Sequence, residues 1–182
     1  MHLLAYYFFE HPENPNQAGM LHLYSATCSF IETAVAEDER VKLTETCPVF
    51  IERTISLAAF TILKISRSSL SQHIDAEAGE KAYFSAILLC RRASLQSDDI
   101  SARAATIMTQ LWNSKIIFRQ ADGRVQSLRT RIRSRLSLSI VFDCFWWWRE
   151  EFAGQPSPYQ DQAADQPDRG KPHLLYFTLH SD

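Results

Sequence analysis

Glycine is scarce in this chain, with five in 182 residues. That argues against a sheet sandwich, a barrel or a glycine-lined phosphate loop, all of which need residues free of a Cβ. Cysteine is limited to Cys28, Cys47, Cys90 and Cys144, and no two form a C-x-x-C pair. Each lies beside apolar residues, as packed, reduced thiols do. The expectation is a reducing, intracellular setting and not a disulfide framework. Excess charge of one sign is also missing. The formal net charge is −2, so the chain as a whole is no electrostatic nucleic-acid binder. Long apolar runs are absent too. Lys64 ends the run Leu57–Leu63 and Asp143 interrupts 138–148, whereas a membrane-spanning helix needs about 20 apolar residues. Met1–Phe9 is apolar but has no basic flank and no small-residue cleavage site, so it is not read as a signal peptide.

What is present is helical pattern. With 46% apolar and 22% charged residues the composition is that of a globular domain. A short apolar piece at 3–9 is followed by a loop over His11–Gly19, rich in Pro and Asn. Met20–Ala36 has helical spacing. Between 32 and 52 lie six acids against Arg40 and Lys42, which reads as an acidic connector. Pro48 then opens a helix over 48–67 as a first-turn proline. That helix is apolar on nearly every side, the mark of a central, buried element. Asp75 caps a helix over 76–94 with the stripe Ala82, Tyr83, Ala86, Leu89, Cys90 and Ala93. Ser97, Asp98 and Asp99 offer the next cap. Ile100, Ala104, Ile107, Met108, Leu111 and Trp112 follow at helical spacing, and Ala121–Gly123 closes that element. Over 129–152 the pattern is mixed. Arginines and then aliphatics alternate with period two, as in a strand, yet the run is longer than strands usually are. Length favours a helix. Residues 153–173 carry four of the seven prolines and read as a flexible tail, ending in the apolar run Leu174–Leu179.

Catalytic and metal-binding spacings are not found. There is no G-x-S-x-G and no H-E-x-x-H, and none of the six histidines lies at ligand spacing from a cysteine or another histidine. A nucleophile formed by Cys28, Cys90 or Cys144 with His73 stands as the alternative enzymatic reading, opposed by apolar surroundings that raise a thiol pKa. Asp143 sits in an aromatic and aliphatic run, read either as a perturbed carboxylate in a pocket or, in preference, as a buried acid paired with a helix N-terminus or an arginine, Arg149 or one on a neighbouring helix. Residues 115–135 hold seven cations against Asp122 alone, leaving 12 cations and 20 acids elsewhere. Within that segment Arg129, Arg131, Arg133 and Arg135 form a candidate basic surface. On a helix they spread over two sides, so a solvated or acid-paired face is favoured over phosphate contact. Trp146, Trp147 and Trp148 point about 100° apart on a helix, so at least one must meet a second element, a ligand or a partner.

Four stretches carry a resemblance. SLRTRIRSRLSLSIVFDCFWWWREEF ending at Phe152, ISLAAFTIL over Ile55–Leu63, EAGEKAYF over Glu77–Phe84 and IMTQLWN over Ile107–Asn113 resemble, in the same order, the C-terminal part of the regulatory region of fungal zinc-cluster transcription factors. The likeness covers about 3–155. It implies an all-helical region that regulates a nuclear transcription factor and, in some members, receives metabolite or inhibitor signals. DNA contacts in that family come from a separate module whose six cysteines hold two zinc ions. Four scattered cysteines depart from that pattern, so DNA binding is not carried over.

The expectations are therefore these. The fold is all-α, an irregular bundle of five to six helices with a disordered C-terminal tail. Residues 1–152 form a partial regulatory domain, read as a fragment, and 153–182 the tail. The function is non-enzymatic, through protein partners such as the transcription machinery or a related factor, with a small-molecule effector. Neither cofactor, metal nor membrane is implied. A helical small-molecule-binding enzyme and a stand-alone module that modulates a full-length relative are the alternatives. A candidate effector pocket is placed between helices 48–67 and 129–152, at Phe60, Asp143 and Trp147. If helix 48–67 is normally covered by segments outside this chain, the isolated chain exposes large apolar patches.

Overall fold

The computed structural model describes residues 1–9, 16–96, 99–119, 123–128, 130 and 138–152. Among them are six α-helices: α1 (Gln17–Val41), α2 (Leu43–Thr46), α3 (Val49–Ser66), α4 (Ala76–Ala93), α5 (Ile100–Asn113) and α6 (Ser139–Phe152). Two 3-10 turns, Leu4–Phe9 and Ser69–His73, complete the set. The described residues contain no strand, only an isolated bridge between Arg119 and Val125. The all-α expectation holds. The tail at 153–182 lies outside the described residues.

The helix α3 is the axis of the bundle. Every residue from Thr54 to Ile65 is buried, and α1, α4, α5 and α6 all pack on it. A helix that buries its whole circumference must be apolar on all sides, which the spread of Ile55, Leu57, Phe60, Ile62, Leu63 and Ile65 provides. The chain thus encloses α3 with its own helices. Its exposed residues, Val49, Phe50 and Arg53, all lie near its start, so the large apolar patch expected if outside segments cover this helix is not found on α3. Pro48 sits one residue before the helix, at the cap, with extended backbone. Its missing N–H costs nothing there.

Local chemistry sets the other boundaries. Asn16 Oδ1 accepts from Gly19 N at 2.9 Å, so α1 begins at Gln17 and the expected loop is shorter than 11–19. Its far end runs through the expected acidic connector to Val41, where Lys42 turns left-handed (φ 54°). Asp38 accepts from Thr44 N at 2.8 Å and Thr44 Oγ1 at 2.7 Å, and so starts α2. Asp75 caps α4 through Ala78 N, and Asp99 caps α5 through Ala102 N. The expected run of α5 to Ala121 fails, since the helix stops at Asn113. The Ser114 hydroxyl accepts from Ile116 N and Ile117 N, taking amides that another helical turn would need. Ile100, expected in its core stripe, is 70% exposed. Of the helix expected over 129–152, Ser139–Phe152 is helical and Thr130 is buried and not helical, while 129 and 131–137 lie outside the described residues.

Close packing of α1 on α4 depends on one glycine. A Cβ built on Gly79 would lie 1.7 Å from Tyr24 Oη. The missing side chain lets that hydroxyl reach the Asp75 carbonyl oxygen, to which it donates at 2.7 Å.

Candidate functional site

Residues one turn apart share a helix face. On α3 that relation joins Phe60 to Lys64; on α6 it joins Asp143 to Trp147. The two helices pack together and bring these four into one interior cluster. Lys64 Nζ donates to Asp143 Oδ2 at 2.6 Å, and both side chains are fully buried. Phe60 meets Phe145 edge-on, with centroids 5.6 Å apart. Trp147 meets Phe118 edge-on at 5.7 Å.

The loop after α5 roofs this cluster. The Lys64 ammonium lies 4.5 Å from the centre of the Phe118 ring, over its face. Phe118 holds that position with a left-handed backbone (φ 59°), which a bulky residue adopts only where its surroundings enforce it. Gly123, at φ +79°, makes the turn that returns the chain. Gln126 N then donates to the Phe118 carbonyl at 2.9 Å. The hydroxyls of Thr61, three residues before Lys64, and of Ser127 are buried without a hydrogen-bond partner. A buried, unsatisfied hydroxyl costs roughly 1–3 kcal/mol. The ion pair itself lies against the Phe118 ring, which in turn packs on Trp147.

The structure brings together Phe60, Asp143 and Trp147 at the predicted α3–α6 interface. Among the described residues Lys64 is a cation on Asp143, a partner that the expectation of Arg149 or an arginine on a neighbouring helix does not include. Its signal was visible: a lone charge inside an apolar stretch, one turn after Phe60. The three tryptophans divide as their directions require. Trp147 is buried. Trp148 donates Nε1–H to Gln110 Oε1 on α5 at 2.5 Å. Trp146 is 49% exposed and donates to Glu150. The proposed basic residues Arg129, Arg131, Arg133 and Arg135 lie outside the described residues.

Burial works against the thiolate form at all four cysteines. Burial pushes Cys90 and Cys144 up to about 12 and Cys28 up to about 11, with the Glu32 carboxylate adding to the effect. Cys47 is raised as well, chiefly by burial. His73 is exposed. Among the described residues no group of three or more His, Cys, Asp or Glu side chains could hold a metal ion. No helix among them is long and apolar enough to cross a membrane.

No family model matches the chain, and no solved structure does. Among curated proteins it is similar to Regulatory protein LEU3 of Saccharomyces cerevisiae, at 28% identity over 145 residues. The match covers 73% of this chain and 16% of that protein's length. The chain thus spans about a sixth of the length of the regulatory protein it matches.

Proposed function

We propose that the chain is a non-enzymatic regulatory domain of a nuclear transcription regulator, working through protein contacts and responsive to a small-molecule effector. The similarity to Regulatory protein LEU3 over 73% of the chain carries this reading. Residues 1–152 are the helical part of a larger regulatory region, and 153–182 are its appended tail. The polar group at the centre of the bundle is tied up in an ion pair, and the raised thiol pKa values oppose cysteine nucleophilicity. Both observations favour packing over bond chemistry.

The effector site belongs at the α3–α6 interface, around Phe60, Asp143 and Trp147. An entering ligand would give Thr61 and Ser127 the partners they lack, within an aromatic shell suited to small molecules. It would have to lift Phe118 away from Lys64. The chain itself makes no DNA contact in this reading, and its partners are the transcription machinery or a related factor.

The experiment is a reporter assay with the chain fused to a heterologous DNA-binding module. Reporter output differing from that of the module alone supports the reading; identical output overturns it. For the pocket, candidate metabolites are screened by thermal shift against the chain and its Trp147→Ala variant. A shift seen only in the parent supports the assignment, and equal shifts in both remove it.

A further inference from the structure

The exposed face of α4 carries an apolar strip with an ordered run of charge. Phe84 is 40% exposed and Leu88 52% exposed, one turn apart. Across from them on α5, Trp112 is half-buried and meets Phe84 edge-on at 5.4 Å. Three cations edge this strip. Arg67 donates to the Trp112 carbonyl and lies over its ring, 5.7 Å from the centroid. Lys81 and Arg91 flank Phe84 and Leu88 along the same helix face, both exposed. Neither has an acidic partner among the described residues; Arg91 reaches only Thr109 Oγ1, at 3.5 Å. Acids on this face, Glu77 and Glu80, are confined to its N-terminal end.

The chain leaves α6 beside this strip. Glu151 accepts from the Ser114 hydroxyl at 2.6 Å and Trp148 binds Gln110. The end of α6 is therefore pinned to the end of α5, within a few residues of Trp112. Beyond Phe152 the sequence has a matching order of charge. Residues 153–158 (AGQPSP) are uncharged, then come Tyr159, Asp161, Asp165 and Asp168 with no cation among them. The nine residues from Phe152 to Asp161 reach at most about 30 Å, while Phe84 to Arg91 spans only about 10 Å of helix. The uncharged stretch adds no repulsion from Glu77 and Glu80, and the aspartates follow it within reach of Lys81 and Arg91.

We infer that residues 153–168 dock in cis on the α4–α5 strip, with Tyr159 against Phe84, Leu88 and Trp112 and the aspartates facing Arg67, Lys81 and Arg91. The tether supplies an effective concentration in the millimolar range, so weak contacts suffice. The inference rests on the strip and on the exit of the chain, independently of the transcriptional reading.

The test places the photo-crosslinker p-benzoylphenylalanine at Leu88 in the full chain and maps its adducts by mass spectrometry. Adducts within 153–168 of the same molecule are expected. The double change Lys81→Glu with Arg91→Glu should lower their yield about tenfold, since exposed ion pairs each contribute a few-fold. Adding Asp161→Lys with Asp165→Lys should restore it. The changes Asp161→Asn, Asp165→Asn and Asp168→Asn, all after the last described helix, should lower the yield without altering helicity by circular dichroism. Adducts to a second copy, adducts elsewhere in the chain, or a yield indifferent to these charges would overturn the inference.

Discussion

Lys64 and Asp143, 79 positions apart in sequence, form a fully buried ion pair at 2.6 Å that ties α6 to the central helix. Neither charge has water to fall back on. Removing one partner therefore takes from the other a buried counter-charge that water cannot replace, which is the costly outcome for such pairs.

The first prediction concerns that pair. Lys64→Met should destabilise the domain by about 3–5 kcal/mol, because Asp143 loses its cation while remaining buried. Combining Lys64→Met with Asp143→Leu should recover much of the loss, since both charges are then gone. Urea denaturation of the two variants measures this. A double variant no more stable than the single one would show that Asp143 serves partners other than Lys64.

Gly79→Ala should push Tyr24 off α4, because the new methyl would overlap its hydroxyl. Tyr24→Phe should cost about 1 kcal/mol through the lost bond to the Asp75 carbonyl. In the Tyr24→Phe background the closest obstruction is absent, so Gly79→Ala should cost less there than in the parent. A double-mutant cycle reads that coupling, and simple additivity would contradict the contact.

Acid sensitivity should come in part from Asp38 and Asp99. Burial alone would raise both carboxyls. For Asp38 the hydrogen bonds from Thr44 and then the Arg92 guanidinium outweigh it; for Asp99 the Ala102, Leu95 and Gln96 amides do. Both end below the ordinary aspartate value of 3.8. The folded state thus binds their protons less readily than the unfolded chain. Their contribution is complete above that ordinary value and is lost as pH falls through the folded-state pKa. Asp38→Asn and Asp99→Asn should each lower stability at neutral pH and flatten its decline in acid. An unchanged acid limb in both variants would count against these bonds.

Thiol chemistry separates the packing and nucleophile readings. With Cys28 near 11 and Cys90 and Cys144 near 12, alkylation at neutral pH should be slow at these three. Cys47, which is only half-buried, should react first. All four should react once the chain is unfolded in denaturant. One fast thiol among the buried three would revive the enzymatic alternative.

Much of the fold can be read locally. Asp75 and Asp99 announce their helices because a short acceptor side chain before an apolar-periodic run satisfies amides that the helix leaves free. The all-round apolarity of α3 announces a central position for the same kind of reason: no face of it could meet water cheaply. Where reading fails, the competing interaction is a side chain acting on backbone. Asp38 turns an expected connector into the start of α2, and the Ser114 hydroxyl halts α5 early. Period and composition do not register either event.

The candidate site divides along the same line. That Phe60, Asp143 and Trp147 are buried is legible in the sequence, because large aromatics and an acid in an apolar run turn inward together. The identity of the cation is not, since any lysine or arginine in the chain could have answered Asp143 and only the crossing of α3 and α6 selects Lys64.

Sequence alone thus determined that this chain is a helical bundle built around one enclosed helix. Periodicity and capping act within a few residues, and the hydrophobic effect needs no partner identity to bury an apolar face. Tertiary structure decided which charge meets which, that Phe118 roofs the buried pair, and that α6 ends beside Trp112. Those outcomes depend on distances between segments far apart in the chain, which no local pattern encodes.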